Sequence, residues 1–148
     1  MLASVVLATL SVLPSHVVDG ARVLSETQAD VLLEPQLATL ERHHGVAGLL
    51  VTRDAVDPRE PSEQLARRLV AERGVTGKWF VVIYYAQPRY LHVAGYREHY
   101  PLPRERLAPL LQARLTASDD DGAALVEVMA MASREAGSTF FLGEIYVD

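Results

Sequence analysis

Three consecutive carboxylates, Asp119, Asp120 and Asp121, are the sharpest chemical feature of the sequence. Calcium and magnesium prefer oxygen ligands, so an acidic loop of this kind could hold one of these cations. The same residues stand just before a predicted helix, where aspartate caps free backbone N–H groups and favours the helix dipole. The run therefore predicts either a helix cap or, together with Asp19, a calcium or magnesium site.

Other catalytic motifs are missing from the sequence. The five histidines show neither the HxxxH nor the HExxH spacing, and no G-x-S-x-G elbow is present. The chain has no cysteine, which excludes disulfides, thiolate metal sites and cysteine nucleophiles. Residues 74–78 read GVTGK, but they follow a helix and precede a strand, whereas a phosphate loop needs the reverse order. We therefore predict no catalytic residue.

A possible ligand loop follows the predicted hairpin. Gly95, Tyr96, Arg97 and Tyr100 combine aromatic rings with a guanidinium, a set that could bind a small anion or a ring. The same aromatic side chains could instead pack the loop itself.

Composition and charge limit the class of protein. The 148 residues suit one domain, and the net charge of −5 makes nucleic acid an unexpected partner. No stretch of the sequence has the ~20 apolar residues of a membrane span. Lys78 is the only lysine and asparagine is absent, a bias that fits either a thermophile or a GC-rich genome.

Alternating helix and strand patterns predict the elements that position these residues. They indicate an α/β domain, a single three-layer α/β/α sandwich in which a mixed sheet of about four strands has helices on both faces. The continuous apolar run at residues 79–85 predicts a central strand buried on both faces. Residues 90–94 predict its antiparallel hairpin partner.

Local signals predict where the other elements begin and end. Ser25 and Gln28 form a capping box that opens a helix ending at Gly45. Pro35 inside that helix predicts a kink or the start of a second helical piece. The remaining predictions are a strand at 46–52, helices at 61–74, after Pro103 and between the chain break at 119–122 and Gly137, and an edge strand at 139–147.

The amino-terminal residues 2–13 are apolar and have the length of a signal-peptide core. They predict either an export signal or a part of the fold. We accordingly divide the chain into an apolar segment at residues 1–15 and a domain at residues 16–148.

The order of these segments resembles the TPM domain family, whose members occur in the thylakoid lumen and on bacterial envelopes. The resemblance starts at residues 16–25, HVVDGARVLS, and continues through the central strand and the hairpin that ends at Gly95 and Tyr96. It extends to a final helical pair broken by an Asp-rich loop, at about residue 137. It implies an extracytoplasmic location and the α/β fold described above.

Two departures from that family affect the expected activity. Where the family usually has Asp-Asn-Gly before the central strand, this chain has Thr76, Gly77 and Lys78. Where members tend to read Gly-Tyr-Gly-Leu-Glu after the hairpin, this chain reads GYREH. Because the lost acid belongs to the part of the family associated with cation binding and phosphatase activity, we do not expect that activity to carry over whole.

The leading prediction is therefore a non-catalytic envelope module that binds a protein partner or a membrane complex. The first alternative is a weak phosphatase assisted by a divalent metal held by Asp19, Asp119, Asp120 and Asp121. The second alternative is a binder of small anionic ligands that uses the loop from Gly95 to Tyr100.

Overall fold

The computed structural model describes residues 15–96 and 104–147, so the predictions for residues 2–13 and for Arg97 and Tyr100 lie outside it. The strands are β1 (Val17–Asp19), β2 (Val46–Ala55), β3 (Lys78–Gln87) and β4 (Tyr90–Tyr96). A π-helical segment (Thr27–Leu33) leads into helix α1 (Glu34–His44), and the other helices are α2 (Ser62–Glu72), α3 (Arg104–Thr116) and α4 (Asp121–Val147). None of these helices has the length and hydropathy that a membrane span requires.

The sheet has the order β1-β2-β3-β4, with the first three strands parallel and β4 antiparallel to β3. The predicted hairpin is thereby confirmed. The central place of the apolar run is also confirmed, since β3 is paired on both sides and its first eight residues are buried. A strand without a polar face, such as WFVVIYY, is stable only when both of its faces are covered.

Helices cover the two faces of the sheet unequally. Alternate residues of β3 point to opposite faces, so Phe80, Val82 and Tyr84 pack against α1, α3 and α4. Val81 and Ile83 pack on the other side against α2. The predicted three-layer α/β/α sandwich with a mixed four-stranded sheet is therefore confirmed.

The first helical region follows its sequence signals closely. Ser25 Oγ accepts the N–H of Gln28 at 3.1 Å, and the Gln28 side chain accepts the N–H of Ser25 at 2.9 Å, as a capping box requires. Pro35 lies in the first turn of α1, where its missing N–H is not needed, so it marks the start of a second helical piece. Gly45 ends α1 with a φ of 65°, a left-handed conformation that favours glycine.

The carboxyl-terminal prediction was wrong. Residues 139–147 belong to α4, which runs for 27 residues, and not to an edge strand. Gly137 does not end the helix. It is buried against α1, where an added Cβ would make an ordinary contact of 3.4 Å with Leu40 Cδ1. A glycine inside a helix costs only about 1 kcal/mol relative to alanine, which the packing of α4 can offset. A glycine at such a contact resembles a helix stop in the sequence.

The two crossovers between parallel strands differ in handedness. Both shift one strand in the same direction across the sheet, yet α1 lies on one face and α2 on the other. Crossovers with the same shift and opposite faces must have opposite hands, so one of them has the rare left-handed form. The connections that leave β1 and β2 therefore go to opposite faces of the sheet. In open α/β sheets, ligands usually bind at the carboxyl ends of two strands related in this way.

Candidate functional site

A row of polar side chains crosses the sheet near the carboxyl ends of its parallel strands. Asp19 on β1 is in register with Thr52 on β2, and Thr52 is in register with Tyr84 on β3. Residues in register on adjacent strands point to the same face, so the three side chains form one line beneath the amino end of α4. The fold brings them together although they are more than thirty residues apart in sequence.

Asp19 closes the turn that follows β1. One carboxylate oxygen accepts the hydroxyl of Thr52 at 2.6 Å and the N–H of Val23 at 3.1 Å, and the other accepts the N–H of Leu24 at 3.0 Å. Thr52 Oγ1 in turn accepts the N–H of Ala21 at 3.0 Å. These bonds occupy the carboxyl ends of β1 and β2, where the two connections leave toward opposite faces of the sheet. They also fix the path of the chain toward the first helix.

Asp121 forms a second polar cluster at the start of α4. It accepts a hydrogen bond from the hydroxyl of Tyr84 and forms an ion pair with Arg89, whose NH2 lies 2.6 Å from Asp121 Oδ1. Burial acts to raise the pKa of Asp121, but the hydrogen bonds from Tyr84 and Arg89 outweigh it and hold that pKa below its ordinary value. Burial and the bond to Asp121 raise the pKa of Tyr84 to about 12. Near neutral pH this cluster therefore holds its protons and its charge in one state.

The predicted metal ligands do not assemble in the described part of the chain. Asp120 Oδ1 accepts the N–H of Ala123 at 3.1 Å and caps α4, and Asp119 is exposed. Among residues 15–96 and 104–147, no three His, Asp or Glu side chains are grouped closely enough to hold a metal ion. The oxygens of Asp19 accept protein hydrogen bonds and Asp121 pairs with Arg89, so the four acids do not form one group. Binding of calcium or magnesium stays a prediction.

Lys78 and the predicted ligand loop lie elsewhere. Lys78 is at the amino end of β3, six residues from Tyr84, which corresponds to about 20 Å along a strand. Its charge is therefore remote from Asp19 and Asp121. The presence of Lys78 where the TPM family has Asp-Asn-Gly thus does not determine what these two acids bind. Gly95 and Tyr96 end β4, beside the undescribed residues 97–103.

A small groove opens beside edge strand β1, on the face that α2 covers only in part. Its cavity of about 190 Å³ has an apolar floor and a charged rim. Val18 is 48% exposed there, while its groove neighbours Leu49 and Val51 are buried. We call this cavity the β1 groove; it is lined by Ser15, His16, Val18, Leu49, Val51, Leu69, Glu72 and Arg73.

A buried histidine ties the rim of the β1 groove to helix α1. The two ring nitrogens of His16 lie 2.9 Å from Glu34 Oε2 and 2.8 Å from Glu41 Oε2. Arg73 NH2 lies 3.0 Å from the same Glu41 oxygen. Burial acts to raise the pKa of Glu41, but the hydrogen bonds from His16 and Arg73 outweigh it and lower that pKa. The cluster joins β1, α1 and the residue after α2.

Sequence reasoning missed Thr52, Tyr84, Arg89 and the His16 cluster. Their partners are 18 to 57 positions away in sequence, so no local spacing signals the contacts. The one usable signal was the end of each strand. If β1 and β2 are assumed to be parallel, their carboxyl ends lie side by side, which places a residue near Thr52 beside Asp19.

Comparison with known proteins supports the fold. No protein-family model matches the chain, and no curated protein matches it. A solved structure that does match is the N-terminal domain of a protein from P. gingivalis, determined by NMR in solution. It is 22% identical, with a TM-score of 0.69, over 89% of this chain and 88% of that one. At this level of identity the likeness shows a shared fold.

Proposed function

We propose that this protein is a non-catalytic binding module of the cell envelope, which holds a partner protein by an apolar side chain inserted into the β1 groove. The observation that carries the proposal is the groove itself, an apolar pocket with a charged rim at the open edge of the sheet. Such pockets, surrounded by polar groups, are where interfaces concentrate their binding energy.

The size of the β1 groove favours a protein side chain over a whole small molecule. Its 190 Å³ is below the range of roughly 300–1,000 Å³ typical of small-molecule pockets. Its rim carries Glu72, which is paired with Arg68, and Arg73, which is paired with Glu41, on a chain of net charge −5. The negative net charge of the chain favours a partner segment in which one large apolar residue is flanked by Lys or Arg.

The edge of β1 is blocked against the addition of another strand. His16 C=O bonds to the N–H of Leu50 on β2, so the backbone groups of Val17, the next residue, point outward. Its N–H is bonded to Glu34 Oε1 at 2.9 Å, and its C=O accepts the hydroxyl of Ser15 at 2.5 Å. Because these edge groups are occupied, the partner binds through side chains in the groove.

Ionisation of the described residues is consistent with a binding role. The resolved shifts lower the pKa of carboxylates such as Glu41 and Asp121 and raise that of Tyr84. General acid–base catalysis needs the opposite, a pKa moved toward the working pH. These groups are poised to hold fixed charges and hydrogen bonds.

The proposal is tested by selecting peptides from a displayed random library on the immobilised full chain. We expect enriched peptides to share one apolar or aromatic residue next to Lys or Arg. Their affinity should fall about tenfold or more in Val18→Asp, which places a charge in the groove. The matched control is Leu110→Asp, which changes an apolar residue that is 54% exposed on α3, outside the groove.

Two results would contradict the proposal. One is a selection that enriches no sequence. The other is a family of peptides whose binding is the same in the wild type and in Val18→Asp.

A further inference from the structure

The buried histidine at the rim of the β1 groove has more hydrogen-bond partners than one protonation state can satisfy. The side chain of His16 is only 10% exposed, and its Nδ1 lies 2.9 Å from Glu34 Oε2. Its Nε2 lies 2.8 Å from Glu41 Oε2 and also 2.8 Å from Arg73 NH2. A carboxylate can only accept a hydrogen bond and a guanidinium can only donate one. Nε2 can therefore bond to Glu41 or to Arg73, but not to both at once.

The charge of the ring decides which of the two partners is bound. In a neutral His16, the Nδ1–H donates to Glu34 and the lone pair of Nε2 accepts an N–H of Arg73. In the imidazolium form both nitrogens donate, so Nε2–H turns to Glu41 and that N–H of Arg73 loses its acceptor. Histidine is the side chain that ordinarily changes its charge between about pH 5 and 8. Uptake of one proton thus exchanges one partner of Nε2 for the other.

The charged groups that face His16 come from three elements. Helix α1 contributes Glu34 and Glu41, the residue after α2 contributes Arg73, and the last residue of α2, Glu72, lines the same groove. The residues that β2 contributes to the groove are apolar. Burial acts to raise the pKa of Glu41, but the hydrogen bonds from His16 and Arg73 outweigh it and lower that pKa. A proton added near neutral pH therefore goes to the imidazole and not to Glu41.

The exchange of partners changes the rim of the β1 groove, because both His16 and Arg73 line it. Protonation adds one positive charge to the rim. It also removes the acceptor that holds one N–H of Arg73 at the imidazole. A partner segment with Lys or Arg beside its apolar residue would then meet a more positive rim, and like charges across an interface weaken binding.

We propose that His16 is a proton-dependent switch that weakens the binding of the partner at the β1 groove as the pH falls. This inference rests on the proposed function of the groove and adds its regulation. Proton uptake and partner binding are linked, so each opposes the other to the same extent.

The switch itself is tested without a partner, by NMR of the full wild-type chain between pH 5 and 8. The ¹⁵N shifts of the His16 ring report which nitrogens carry a proton, and the side-chain Nε–H signal of Arg73 reports its surroundings. We expect Nε2 to be unprotonated at the upper end of this range and both ring nitrogens to be protonated at the lower end. The Arg73 signal should move with the same midpoint as the ring.

The effect on the groove is tested with a peptide from the library selection, whose affinity is measured at pH 7.5 and at pH 5.5. We expect the wild type to bind it about fivefold or more weakly at the lower pH, as for a typical coupling between two sites. In His16→Gln, which cannot take up the proton, the affinity should change by less than about twofold. The matched control is His43→Gln, which removes an exposed histidine of α1 outside the groove and should keep the pH dependence of the wild type.

The inference is overturned if the His16 ring keeps one protonation state from pH 5 to 8, or if the Arg73 signal does not follow its titration. This titration uses the wild type, so it decides the matter even where His16→Gln does not fold. A pH dependence of binding that persists in His16→Gln would also reject the switch. Equal affinity at both pH values in the wild type rejects the switch and leaves the groove as a partner site. If no peptide binds at either pH, the proposed function fails and this inference fails with it.

Discussion

The carboxylate of Asp19 should be a main support of the turn that leads from the sheet into the first helix. Asp19→Ala removes the acceptor of two backbone N–H groups and of the Thr52 hydroxyl. A hydrogen bond to a charged group contributes about 1.5–3 kcal/mol, but three bonds to one half-buried carboxylate are not additive, so we expect a loss of about 2–4 kcal/mol. Asp19→Asn keeps one acceptor oxygen and should lose roughly half as much.

Urea unfolding followed by circular dichroism measures this loss, with an unchanged m-value showing that the unfolding reaction is the same. The control is Asp119→Ala, an exposed acid of the same predicted set, which should change the stability by less than about 0.5 kcal/mol. Equal stabilities of Asp19→Ala and Asp119→Ala would show that the Asp19 carboxylate does not support the turn. If added calcium stabilises the wild type and leaves Asp19→Ala unaffected, Asp19 acts as a cation ligand instead.

The other predictions concern the core, the chemistry and the response to pH. Val82→Asp should yield no folded protein, because an unpaired charge in the fully buried centre of β3 costs several kcal/mol. The whole free energy of unfolding of a domain is only about 5–15 kcal/mol. A soluble variant with a cooperative melt would contradict this prediction. The wild type should not hydrolyse 4-nitrophenyl phosphate; turnover that requires an added divalent metal and disappears in Asp120→Ala would show the opposite. The lowered pKa of Glu41 means that its contribution to stability is present above its unfolded pKa and is lost as the pH falls through its folded pKa. The urea midpoint should therefore fall less steeply below about pH 5 in Glu41→Gln than in the wild type, and equal slopes would show that Glu41 carries no such contribution.

The fold was largely predictable because its strongest signals are local. The run at residues 79–85 has no polar face, so only a central strand satisfies it. The capping box at Ser25 and the glycine at position 45 mark helix ends through their own backbone chemistry. Each of these signals is fixed within a few residues of sequence.

The carboxyl-terminal helix was predicted to be too short because tertiary packing decides it. Gly137 has the sequence signature of a helix stop, but in the structure it is a small residue against α1. The information that distinguishes the two roles lies in Leu40 and His44, almost a hundred positions earlier in the chain.

The candidate sites were predictable only in part for the same reason. The sequence indicates that Asp119, Asp120 and Asp121 stand at a helix start, and Asp120 does cap α4. It does not indicate that Asp121 faces Arg89, nor that Val18 borders a groove, because both depend on how strands and helices pack. The TPM resemblance remains a prediction.

Crosslinking in living cells of the producing organism shows whether the β1 groove holds a partner protein. A photoreactive phenylalanine analogue replaces Val18 in the full chain, and in a second version it replaces Leu110 as the control. We expect one discrete adduct with an envelope protein from position 18 only, and a crosslinked partner segment with an apolar residue beside Lys or Arg. No adduct at position 18, or the same adducts from both positions, would contradict it.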